Sequence, residues 1–190
     1  MAIAINGAGT ITGITAGGLP DGCIQAADLA SGVGGKCLAV VSTATDASSS
    51  TTSTSFADVT GLTVTTGTLA TSSSKLLILV HFMAGTQTTY AMNARLQITP
   101  SGGSAAYPYV GTGGTTNITM FDSYAHSGSS DLASSETAVY LYQASSTVAH
   151  AVNMQWKVES GGTGYMNRSY TLGGKDVKAV SSITAMEIGA

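Results

Sequence analysis

This sequence has little charge. Charged residues are 9% of its 190 residues, against roughly 25% in an ordinary soluble domain. Only seven are Lys or Arg, and the formal net charge is −3. Without a basic patch to neutralise phosphates, nucleic-acid binding is excluded as an expectation. No basic amphipathic helix offers attachment to an anionic membrane. The longest apolar run, Leu76 to Ala84, is too short to span a bilayer as a helix. The opening residues lack the positive cluster and unbroken apolar stretch of a secretory signal, which leads to the expectation of a chain made in a cytoplasm. Two cysteines, Cys23 and Cys37, make no disulfide framework. They read as two reduced, packed thiols, with a bridge between them as the alternative.

Catalytic patterns are missing too. His81, His126 and His150 lie far apart in the chain, without metal-ligand spacing among themselves or with the cysteines. His81 and His150 fall inside predicted strands, where packing explains them better than ligation. There is no HExxH, GxSxG or CxxC. The stretch GVGGKC (32–37) has the Gly-Gly-Lys of a phosphate loop, but Cys37 stands where Ser or Thr is needed and a candidate helix precedes it. Glu136 and Glu159 are carboxylates of the kind glycan hydrolysis uses in pairs, yet nothing places two together. The expectation is a protein with no catalytic residues, no cofactor and no metal. Asn117-Ile-Thr and Asn167-Arg-Ser fit the glycosylation pattern, which recurs by chance in any chain this rich in Ser and Thr.

What the chain does have is Ser and Thr, about 27% of residues by count, and 24 Gly. Thr, Val, Ile and Tyr suit a pleated surface, and Ser, Gly and Asn suit turns. An all-β fold follows. Residues 1–36 stand apart as an N-terminal arm. Ile3, Ile5, Ile11 and Ile14 are its only sizeable apolar anchors, too few to close a core. Asp21 to Ser31 is the one candidate helix, capped by Asp21 after Pro20 and stopped by Gly32, Gly34 and Gly35. Such an arm gains order by docking on another subunit.

From Cys37 to Ala190 the pattern is that of strands: 37–45, 61–70, 75–85, 90–100, 116–124, 135–143, 148–160, 164–172 and 181–188. The Ser/Thr tract at 47–55 reads either as a linker or as strand and loop. Roughly nine strands punctuated by turn signals indicate a sandwich or jelly roll. In VAHAVNMQWKVES, His150, Val152, Met154, Trp156 and Val158 share one face, expected buried, and Asn153, Gln155 and Lys157 the other, expected solvated. KLLILVHFM is apolar on both faces: Leu76, Ile78, Val80 and Phe82 on one, Leu77, Leu79 and Met83 on the other. A strand of that kind is covered twice. Leu77, Leu79 and Met83 are therefore candidate subunit-interface residues of an obligate oligomer. Tyr107, Tyr109, Tyr124 and His126, in or beside Gly- and Ser-rich loops, are candidate contacts to protein or sugar surfaces.

Three segments carry a resemblance. STSFADVTGLTV (53–64), SSSKLLILVHFM (72–83) and SSITAMEI (181–188) resemble β-domains in fibre and other virion proteins of tailed bacteriophages, most of all phages of marine cyanobacteria. MQWKVESGGTGYMNRS (154–169) is similar to the late hairpin of those domains, and INGAGTITGITAGGLPDG (5–22) to the segment before them. The resemblance implies a structural virion protein, a homotrimer of jelly-roll-like subunits. Its arm would dock on capsid, neck or tail proteins and its β-domain would reach a host glycan or protein. The alternative it leaves is a capsid cement or decoration protein. The chain departs from long tail fibres in being short, with no coiled coil or shaft repeat.

Overall fold

The computed structural model describes residues 36–86, 90–108, 133–159, 161–169 and 179–189, with the backbone of 121–124. The arm, its isoleucines and the candidate helix lie outside the described residues, as do Cys23 and Asn117. Among the described residues the fold is all-β, with ten strands: β1 (Cys37–Thr45), β2 (Ser49–Thr51), β3 (Ala57–Thr65), β4 (Lys75–Thr86), β5 (Ala91–Pro100), β6 (Phe121–Tyr124), β7 (Ala133–Gln143), β8 (His150–Val158), β9 (Gly164–Met166) and β10 (Ser181–Ile188). The Ser/Thr tract is thus partly strand, as β2.

The strands form two antiparallel sheets in a sandwich-like arrangement. In the first, β4 is central. It pairs β7 along one edge, and along the other β10, then β9 where β10 ends. Beyond β10 lies β1, and beyond β9 lies β2. The second sheet runs β3-β8-β5-β6. Between the sheets sits one core. It takes Leu76, Ile78, Val80 and Phe82 from β4, Met92, Ala94, Leu96 and Ile98 from β5, and Val152, Met154, Trp156 and Val158 from β8. Each set alternates at period two, which is why these residues make strands and why one face of each is dry. Trp156 meets Phe82 edge to face across the sandwich, with ring centroids 6.2 Å apart.

Departures from the sequence reading have local causes. β3 starts at Ala57 rather than Gly61 because a register shift between Asp58 and Thr63 breaks its alternation. Val59 and Leu62, three residues apart, both face the core, and Gly61 takes φ 85° between them. β9 stops at Met166 because Asn167 turns the chain at φ 59°. At Gly85 a Cβ would collide with the carbonyl of Arg168, so β4 and the segment after β9 can touch only over a glycine. Cys37 carries a free thiol that is exposed rather than packed.

Candidate functional surfaces

The two sheets turn opposite kinds of surface outward. On the first, cross-strand register aligns side chains into rows across β1, β10, β4 and β7. One row reads Val40, Met186, Leu77, Leu141, and the next Ser42, Thr184, Leu79, Val139. Below them run Ala44, Ser182, His81 and Thr137. These rows hold no charged residue; Lys75 stands at their end. Val40, Val139 and Leu141 are half or more exposed. The predicted interface residues Leu77, Leu79 and Met83 lie on this face, half-buried by neighbouring side chains. The sequence reading found them from one strand; their partners on β1, β7 and β10 needed the register. Among the described residues β7 pairs with β4 alone.

The second sheet presents a polar and aromatic face. Arg95 of β5 lies between the rings of Phe56 and Tyr107, its guanidinium carbon 3.9 Å and 4.0 Å from the two centroids. Arg95 Nε donates to Gln155 Oε1 at 3.0 Å, and Gln155 Nε2 donates to Asp58 Oδ1 at 2.8 Å. Alongside, Asn153 Nδ2 donates to Gln97 Oε1 at 3.2 Å and Gln97 Nε2 to the Tyr107 hydroxyl at 3.0 Å. Burial lowers the Arg95 pKa from its ordinary value, and the Tyr107 phenol partly offsets this. The solvated face expected on β8 is therefore covered in part. Gln155 and Lys157 are buried, Gln155 by its bonds and Lys157 with Nζ 5.0 Å from the Phe56 centroid. Phe56 lies just outside β3, and no period-2 pattern on β8 registers a ring contributed from there.

Of the four predicted contact residues, Tyr107 sits on this face and is part-exposed. Tyr124 stands on β6 opposite Ala91, six residues along β5 from Gln97, about 20 Å at the rise of a strand. The structure does not bring the two together. Tyr109 and His126 lie outside the described residues.

Neither acid pair nor metal centre appears among the described residues. Glu136 belongs to β7 of the first sheet, whereas Glu159 follows β8 of the second. The buried Glu187 carboxylate accepts from Ala70 N and Ser74 Oγ, both at 2.7 Å, which ties the loop before β4 to β10. Among the described residues, no group of three or more His, Cys, Asp or Glu could hold an ion. The recess beside Glu187, lined by Val41, Thr66, Leu69 and Ala185, measures about 30 Å³, room for a water but not a substrate. His150 is buried against Tyr142, ring centroids 5.7 Å apart, and His81 Nδ1 lies 3.5 Å from Thr137 Oγ1 on the outer face. Asn167 is buried with its amide in use, Nδ2 donating to Thr45 O and Ala47 O, so its glycosylation pattern is not accessible. No protein-family model matches the chain, and no curated protein matches it.

Proposed function

We propose that this chain is a structural protein of a bacteriophage particle, a subunit of a trimeric fibre or spike. Residues 1–36 dock on other virion proteins, and the β-domain projects and meets the host surface without chemistry of its own. The observation that carries the assembly part is the uncharged outer face of the first sheet. Its rows span four strands about 4.8 Å apart and roughly 20 Å along them, near 400 Å² in projection. That is within the largest apolar patch a monomer usually leaves open and about half of one partner's share of a standard interface.

Strand order supports a jelly roll. Leaving out the short β2 and β9, the remaining eight strands pair first with last: β1 with β10, β3 with β8, β4 with β7 and β5 with β6. Rolling that ribbon brings β10 against β4 and β8 against β5, and both pairs are present. The architecture recurs in capsid and lectin domains. The virion assignment itself rests on the sequence resemblance.

Mass in solution by light scattering tests assembly: three copies are expected, and a stable soluble monomer of 19.0 kDa at micromolar concentration would sink the reading. Copy number per particle then separates fibre from capsid decoration. A few dozen or fewer means fibre, and hundreds mean decoration.

A further inference from the structure

Arg95 is stacked and hydrogen-bonded, and it forms no ion pair within the described residues. Its Nε is taken by Gln155, and its plane is fixed between Phe56 and Tyr107. The two Nη groups make no hydrogen bond or ion pair within the described residues. The nearest carboxylate in this network, Asp58, is bonded to Gln155, which thereby stands between Asp58 and the guanidinium. In a chain with seven Lys and Arg, a rigid, half-buried guanidinium with an open fork is an unusual use of charge. Stacking removes the rotamer freedom that an arginine otherwise loses on binding. The open fork matches a planar carboxylate in two parallel hydrogen bonds.

We infer that this face of the second sheet binds an acidic saccharide, with Arg95 taking the carboxylate of a uronate-type residue. Three further features select a sugar over an acidic side chain. Gln97, beside the guanidinium and held by Asn153 and Tyr107, is only partly buried, and its carboxamide keeps one N–H and one oxygen lone pair to give and accept hydrogen bonds as ring hydroxyls require. Tyr107 is 37% exposed and offers apolar ring surface for a sugar to pack on. The site lies on the outer face of the β3-β8-β5-β6 sheet, a place suited to a chain of sugars rather than to a small enclosed metabolite. The inference rests on the host-contact part of the proposed function and names its ligand class. A monomer in light scattering would overturn the trimer and leave this site standing.

The test is calorimetric titration of the full chain with trigalacturonate, its methyl ester and a poly-glutamate peptide. Trigalacturonate is expected to bind, with the ester at least about tenfold weaker because the fork loses its anion. Arg95→Lys keeps the charge and loses the fork, so it should also weaken binding about tenfold. Gln97→Ala should weaken it severalfold, and the thermal midpoint of both variants should stay near that of the parent. No binding at 10 mM ligand, equal binding of acid and ester, or undiminished binding by folded Arg95→Lys and Gln97→Ala would each overturn the site. Peptide binding as tight as trigalacturonate would overturn the saccharide assignment in favour of an acidic protein segment.

Discussion

Ser181 Oγ donates to Asn167 Oδ1 over 2.7 Å, with both residues buried. Ser181 Oγ in turn accepts from Met83 N at 3.0 Å, and Asn167 N donates to Met83 O at 3.0 Å, closing a ring between β4, β10 and the end of β9. With Nδ2 on Thr45 O and Ala47 O, one residue, through side chain and backbone together, ties four segments of the first sheet. Asn167→Ala would remove the side-chain partner of two part-buried carbonyls and of the buried Ser181 hydroxyl, and place a Cβ-bearing residue without local polar compensation at φ 59°. The expected cost is about 2–4 kcal/mol in urea denaturation. Asn167→Gly keeps the backbone relaxed, so it should recover about 1 kcal/mol of that. Made in a glycosylating host, the wild-type chain should show no glycan at this position by intact mass.

The core aromatic gives a second prediction. Trp156 is 4% exposed and meets Phe82 edge to face. Trp156→Ala should cost about 3–5 kcal/mol, and tryptophan emission should be blue-shifted and shielded from an aqueous quencher. Gln155, on the other face, is no neutral control. Its amide bridges Arg95 and Asp58 from a buried position, so Gln155→Ala should cost about 1–3 kcal/mol rather than the few tenths of a surface change.

The contrast between these neighbours shows what the sequence made legible. Strand existence and the inward face of β4, β5 and β8 follow from period two, because burial between two sheets imposes that period directly. Three kinds of feature do not. The bulge at Gly61 breaks the period locally and hides the first half of β3. Phe56 covers β8 from another part of the chain, so alternation within β8 carries no trace of it. The Arg95 site joins residues of β5, β8 and two loops, and only the register sets Arg95 against Gln155 and Gln97 against Asn153. Leu77, Leu79 and Met83 were readable because a strand apolar on both faces is a one-strand signal; the rest of their surface is a property of pairing.

His150 supplies a third prediction. It is fully buried, and neither ring nitrogen has a hydrogen-bond partner among the described residues. Its backbone N–H is satisfied by Thr66 Oγ1 at 2.9 Å, a bond that any residue keeps. Replacing the imidazole by an apolar ring removes two desolvated polar atoms and preserves the edge contact with Tyr142. His150→Phe should therefore leave stability within about 1 kcal/mol of the parent or raise it. A loss above about 2 kcal/mol would mean that the imidazole bonds a buried water or a group beyond the described residues.

The last prediction concerns the outer face of the first sheet, where the choice of residue decides whether the experiment can be read. Leu79 is the centre of the uncharged rows, but it is half-buried within its own subunit. Asp there would lose solvation in the monomer as well as in any assembly, so failure to assemble would not be separable from failure to fold. Leu141 and Val139 on β7 are 50% and 54% exposed. A carboxylate at either position keeps its water in the free subunit, and the expected cost to the fold is within about 0.5 kcal/mol. Covered by another copy, the same carboxylate is desolvated without a partner, which costs several kcal/mol. Leu141→Asp should therefore give a monomer with the thermal midpoint of an intact β-domain, and the effect should ease as pH falls and the carboxyl group takes up a proton. A Leu141→Asp protein that still assembles with parental affinity would show that this face is not buried between copies. Gln143→Ala, one row further along β7 and opposite Lys75, should leave the mass in solution unchanged.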